Sequence, residues 1–220
     1  LKLPLFNPET PVYQLKILGR PMIYKDQKYL KFRLKPQEIA FFIHLSLCTS
    51  EPGRSISVDE IYKNFFPRVR DAQSRLAHLL VKIKSQLMLP RNLLVIQSSS
   101  GFKVLLNNGF YISTDYSEFE QTLARAKALQ RAGEWEFAKK EFLQAFKLFR
   151  GEPFKKNFDE WSVNMRFRIL TELEDEAINF AKACLEHNDR HNSKKVLEKV
   201  LKIIPNSEEI KNLLDGFMVG

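Results

Sequence analysis

An α+β winged helix-turn-helix domain followed by an all-α, tetratricopeptide-like helical domain is the fold class that the sequence predicts. Three observations point to it. Between Leu34 and Gly101, three short helical patterns are followed at once by two strand patterns joined at a Ser-Ser-Ser-Gly tip. The charge is segregated: residues 1–112 hold 17 Lys and Arg against 7 Asp and Glu, a net of +10, whereas residues 113–220 net −1. The second half also repeats on itself at an offset of 55 residues. The boundaries expected are an arm over 1–11, the winged-helix domain over 12–112 and the helical domain over 113–220.

Residues 1–11 carry three prolines and no periodicity, which reads as a linker. The chain opens LKLPLFNPETP without an initiator Met, so a fragment of a longer protein is expected. From Val12 the pattern is strand-like: VYQLKIL, then MIY, the polar turn Lys25-Asp26-Gln27-Lys28, and YLKFRL. In the last run Leu30, Phe32 and Leu34 alternate with Lys31, Arg33 and Lys35, predicting a strand in a small antiparallel sheet.

Pro36 suits the first position of a helix, where its missing N–H costs nothing. Ile39, Phe42, Ile43 and Leu47 then share one face, and Pro52-Gly53 stops the run. Ser57 with Glu60 reads as a capping box for a short second helix closed by Pro67. A third helix, from about Asp71 to Met88, buries Leu76, Leu80, Ile83 and Leu87 at amphipathic spacing. Leu93–Ile96 and Phe102–Leu106 are the predicted wing strands, with Phe110–Ile112 as a third short strand. Asp115 or Ser117 caps the helix that follows.

In the helical half, Ala126, Ala138, Phe142 and Ala145 recur as Ala181, Ser193, Leu197 and Val200. Their spacing matches the small-residue ladder of tetratricopeptide helix pairs, with Pro205 in the terminal slot. A simple array repeats at about 34 residues. The extra length is taken by GEPFKKNFDEW and part of a long helix through Arg166, Leu170, Leu173 and Ala177.

Several function classes find no support in these residues. The two cysteines, Cys48 and Cys184, lie in apolar helical runs and make no disulfide framework, which fits a reducing cytoplasm. No apolar run reaches the ~18 residues that span a membrane. Carboxylate clusters such as Glu172–Glu176 have no nucleophile, glycine-rich phosphate loop or metal set beside them, so neither catalysis nor a cofactor is expected. His187 and His191 are four apart, but HNDRHN reads as a turn with no third ligand. Trp135 and Trp161 read as packing residues, and His44 as a satisfied core histidine.

The third helix carries the candidate binding residues. Arg75, His78 and Lys82 lie opposite its apolar stripe and are expected to reach base edges or the groove. Gln73 suits adenine. Arg68, Arg70 and Lys84 are candidates for the phosphates.

Taken in order, these stretches resemble the bacterial transcriptional activator domain proteins of the antibiotic-regulatory-protein type. The markers are LKILG, LKPQEIAFFIHLSL, ISVDEIYKNFFP, KIKSQL, Gly101-Phe102, TDYSEFEQTLARA, AFKLFRGEPF, DEWSVNMRFRIL and IIPNSEE, covering residues 12–220. The resemblance implies a winged helix joined to a tetratricopeptide-like domain, sequence-specific binding of double-stranded DNA, and recruitment of RNA polymerase at promoters. This chain departs from the family at two places, and from many winged helices at a third. Phe65-Phe66 stands before Pro67 where a Trp is usual. Leu79, Leu80, Val81, Lys82, Ile83 and Lys84 replace an Arg-rich run. The tip Gln97-Ser98-Ser99-Ser100 has no cation.

The expected function is that of a DNA-binding transcriptional regulator, an activator, whose helical domain serves a homodimer or polymerase contact. Because phosphate affinity scales with the cations delivered, binding by a monomer is expected to be weak. Two alternatives stay open. One is a protein-interaction module whose winged helix has lost specific DNA binding. The other, RNA binding, lacks the aromatic platforms of single-strand readers.

Overall fold

The computed structural model describes residues 11–48, 56–89, 94–97, 103–106 and 111–216. The chain divides into two compact units. Unit 1 comprises Leu1–Lys16, Pro21–Thr114 and Lys156–Val163; unit 2 comprises Ile17–Arg20, Asp115–Lys155 and Asn164–Gly220. A small N-terminal sheet is thus followed by a helical region.

Unit 1 runs β1 (Val12–Lys16), β2 (Met22–Lys25), β3 (Lys28–Tyr29), α1 (Pro36–Cys48), β4 (Ile56–Ser57), α2 (Val58–Phe65), α3 (Ala72–Gln86), β5 (Leu94–Gln97), β6 (Lys103–Leu106) and β7 (Tyr111–Thr114). One sheet has the order β3-β2-β1-β7, with β7 parallel to β1 in the register Val12↔Tyr111 to Leu15↔Thr114. The other has the order β4-β6-β5, and β5 pairs antiparallel with β6 from Leu94↔Leu106 to Gln97↔Lys103. The expected wing strands are therefore present as a hairpin, while its tip lies outside the described residues. The expected third strand joins the first sheet instead, and β6 takes β4 as its second neighbour.

The polar turn is a two-residue hairpin loop, with Asp26 at φ +48° and Gln27 at φ +64°. That pair of left-handed residues matches the twist of the flanking strands. The strand expected over YLKFRL is corrected: β3 stops at Tyr29. Leu30 still donates its N–H to Ile23 O at 2.9 Å. Two residues further along the partner strand, Pro21 has no N–H to continue a ladder. Arg33 N–H is instead satisfied by Gln86 Oε1 at 2.8 Å.

Helix α1 is buried almost all round from Ile39 to Ser46, not along one face as its sequence suggests. Ser57 caps α2, its hydroxyl accepting from Glu60 N–H at 3.1 Å. Phe65 meets Phe41 edge-on at 5.4 Å. The expectation that His44 is a satisfied core histidine holds only in part, its Nδ1 meeting Cys48 Sγ at 3.5 Å. The ring is buried between Phe65 and Trp161, at 5.4 and 4.9 Å. Its Nε2 has no hydrogen-bond partner among the described residues, and the nearest carboxylate, that of Glu60, is 3.8 Å away. Trp161 is a packing residue here, as its sequence context suggests.

Unit 2 holds α4 (Asp115–Arg131), α5 (Trp135–Lys147), most of α6 (Glu160–Glu186), α7 (Arg190–Leu201) and α8 (Glu208–Gly216). All eight residues of the 55-residue repeat are buried. The repeat extends into the backbone. Gly133 and Asn188, 55 apart, are both left-handed at φ +80° and +59°. Gly133 N–H donates to Gln130 O as Asn188 N–H does to Leu185 O, and Glu134 N–H to Leu129 O as Asp189 N–H to Cys184 O. Both turns thus close with the same pair of terminal carbonyl bonds, the Schellman arrangement.

Asp115 does not act as the expected cap. Its buried carboxylate accepts the N–H groups of Ile17 at 2.6 Å and Leu18 at 3.2 Å, and Arg150 Nη2 donates to it at 3.0 Å. Arg150 N–H also donates to Leu18 O. Gly19, at φ +134°, runs so close that a Cβ there would sit 3.0 Å from Gly151 N. Trp135 stacks on His187 at 4.4 Å and 9°, which occupies one histidine of the HNDRHN turn with packing.

Candidate nucleic-acid interface

Helix α3 sits on the core through Leu76, Leu79, Leu80 and Ile83, all buried. The stripe is one residue wider than the sequence spacing suggests, because Leu79 joins it. Asp71 caps the helix, its carboxylate accepting Ser74 N–H at 3.2 Å. At the other end, the Tyr13 hydroxyl donates to Leu87 O and Met88 O, each at 3.2 Å, and Lys25 Nζ donates to Met88 O at 3.1 Å. Carbonyls that the helix leaves unpaired are thereby satisfied from β1 and β2. Burial, with help from the Asp26 charge, pushes the Tyr13 hydroxyl up to about 12, so it stays a donor. The N-terminal sheet therefore fixes where α3 ends.

With one face held, the other is left to solvent. Gln73, Arg75 and His78 are exposed, as are Arg68 and Arg70 in the connection from α2. Arg68 itself is left-handed at φ +65°. Lys84 is half-buried. Lys82 is also half-buried, with Nζ 2.8 and 2.7 Å from the two carboxylate oxygens of Glu38. Glu38 stands at the third position of α1 and accepts Lys35 N–H at 2.7 Å, which closes that helix start.

Arg75, His78 and Lys82 come together along a cleft of about 270 Å³, also lined by Lys35, Gln37, Glu38, Phe65, Phe66 and Leu79. Of the expected residues, Arg68, Arg70, Gln73 and Lys84 do not line it. Sequence reasoning missed Lys35 and Glu38. The signal available was Lys35-Pro36-Gln37-Glu38, a helix start whose glutamate reaches back. The arrangement offers a guanidinium and an imidazole as donors, and among the described residues no three His, Cys, Asp or Glu side chains gather to hold a metal. No helix of the described residues is long and apolar enough to cross a membrane.

Residues 114–214 match the family model of the bacterial transcriptional activator domain. No curated protein matches the chain by sequence. Among solved structures, the chain is similar to Mycobacterium tuberculosis EmbR in complex with a low-affinity phosphopeptide. That similarity has a TM-score of 0.67 at 14% identity over 93% of this chain and 53% of the other. At such identity the likeness is one of fold, and this chain spans about half the length of the EmbR structure. From Thr114 to Leu214, then, just under half of the chain is similar to the bacterial transcriptional activator domain, a domain of transcriptional regulators.

Proposed function

We propose that the chain is a DNA-binding transcriptional regulator, an activator working in the cytoplasm. Residues 12–112 form a winged helix-turn-helix whose α3 enters the major groove while the β5–β6 hairpin flanks it. Residues 113–220, tetratricopeptide-like, mediate dimerisation or contact with RNA polymerase. The observation that carries this reading is the solvated face of α3. Arg75 and His78 point to water there, and Arg68 and Arg70 lie just upstream, in a half of the chain that nets +10. Such a helix, held from behind and basic in front, suits groove docking. The activator domain in the same chain supplies the regulatory context.

A second reading, an interaction module without specific DNA binding, draws on two observations. Lys82 is drawn onto Glu38, and Val81 stands exposed where a cation would serve phosphate binding. Fluorescence anisotropy with random and selected duplexes across a salt series separates the two. The regulator reading expects affinity that falls steeply with salt and a selected site preferred by ~10³ or more. Absence of binding at low salt sinks it and favours the module.

A further inference from the structure

We infer that Val81 is a specificity-determining residue that packs on the C5-methyl group of a thymine. The inference rests on the DNA-binding reading above and adds a base preference to it. Val81 is 68% exposed, whereas Leu76, Leu79, Leu80 and Ile83 of the same helix are buried. A β-branched residue gives a solvated helix nothing in propensity. A single surface valine is ordinary by itself; its surroundings set it apart.

At 3.6 residues per turn, Ser74, Ala77, Val81 and Ser85 fall within about a quarter turn of one another. All four are exposed. They form a strip of short, uncharged side chains along the middle of the free face. Arg75 and Lys82 flank the strip on one side, Gln73 and Lys84 on the other. Short side chains in the centre let a helix backbone approach base edges, and longer ones at the margins reach the outer bases and the phosphates. One branched apolar side chain is too small a patch for a protein partner, which needs a larger buried anchor. In the major groove, the apolar feature presented by the bases is the thymine methyl. A valine at the centre of the strip has no donor for guanine and none for adenine, so thymine is the base it complements.

The test begins with a duplex selected from random sequence by the full chain. Each thymine is then replaced singly by deoxyuridine, which removes the methyl and keeps the pairing. At one or two positions the change is expected to weaken wild-type binding about four-fold, the value of one buried methyl. Val81→Ala, at an exposed site that tolerates truncation, should bind thymine and uracil equally there and keep its other preferences. Val81→Thr, which retains a methyl, should keep part of the discrimination. If the wild type prefers its selected site but ignores every deoxyuridine, or if Val81→Ala keeps full discrimination, the inference falls and the DNA-binding reading stands. If no selected site is preferred over random DNA, both fall together.

Discussion

The Lys82 ammonium and the Glu38 carboxylate form a two-oxygen contact, 2.8 and 2.7 Å, across 44 residues of sequence. The same carboxylate closes the start of α1 through Lys35 N–H. One acidic group thus serves a helix end and neutralises a cation on the proposed groove face. The lysine is 39% exposed, so the pair itself adds only up to about 1 kcal/mol of stability. Its larger consequence is electrostatic, since a neutralised lysine releases fewer counterions from DNA.

Arg75→Ala is therefore expected to cost more DNA affinity than Lys82→Ala. The arginine is exposed on the free face and the lysine is shared with Glu38. Loss of a base-reading arginine costs about 1–3 kcal/mol, and the lysine change should cost less than about 1 kcal/mol. Glu38→Gln should free Lys82 and steepen the dependence of log K on log salt by about one unit. Its thermal stability should fall by about 1 kcal/mol through the weakened helix start. Anisotropy titrations at several salt concentrations measure all three; equal losses for Arg75 and Lys82 would show that the pair opens on DNA.

Asp115→Ala should be among the most damaging single changes in unit 2. Its carboxylate is fully buried, with two backbone N–H groups and the Arg150 guanidinium as partners. Removing it strands those donors and an arginine that is itself one-third exposed. Breaking a buried pair from one side costs about 3–5 kcal/mol, and the exposure of Arg150 places the expectation at about 3 kcal/mol. Urea denaturation followed by far-ultraviolet dichroism reads the shift. A loss under about 1 kcal/mol would mean that water replaces the carboxylate.

What the sequence made legible is what is local. Ser57 reaches Glu60 three residues on, Asp26-Gln27 turns within two residues, and the stripe of α3 follows one helix period. The 55-residue repeat is long, but each of its helix pairs is local, so it too was visible. The misses are contacts between distant stretches. YLKFRL alternates as a strand does, yet its ladder ends at Tyr29, short of the register position that Pro21 would face. Asp115 looks like a cap until Ile17 and Leu18 arrive from 98 and 97 residues away. His44 reads as satisfied because nothing nearby in sequence shows Trp161 covering it. Lys82 looks like Arg75 in a helical wheel, since a wheel contains no Glu38.

The repeat predicts an asymmetry between enlarging and trimming its small residues. Ala138 and Ser193 occupy equivalent, fully buried positions. Ala138→Leu or Ser193→Leu forces a larger group between packed helices, at a cost of about 1–3 kcal/mol. Ser193→Ala should cost less than about 1 kcal/mol. The Ser193 hydroxyl donates to Ala181 O at 3.2 Å, a mid-helix carbonyl that already has a helix partner. Thermal melts of the three variants test the order; a mild Ala138→Leu would mean the helices do not meet closely there.

His44 provides a pH test of unit 1. Burial holds its imidazole down at about 4, against the opposing pull of Asp159. In the unfolded chain it titrates near 6.5. The folded state therefore holds fewer protons than the unfolded state between these values, and acid favours unfolding. Stability from the neutral ring is fully present above pH ~6.5 and is lost as pH falls toward ~4, about 3 kcal/mol in all. His44→Phe keeps the aromatic contacts with Phe65 and Trp161 and removes the titration. Between pH 7.5 and 5, the wild type should therefore lose more stability than His44→Phe, by about 2 kcal/mol. Parallel pH dependence in the two proteins would mean that Glu60, 3.8 Å from Nε2, accepts the proton's charge on small movement and keeps the folded-state value near normal.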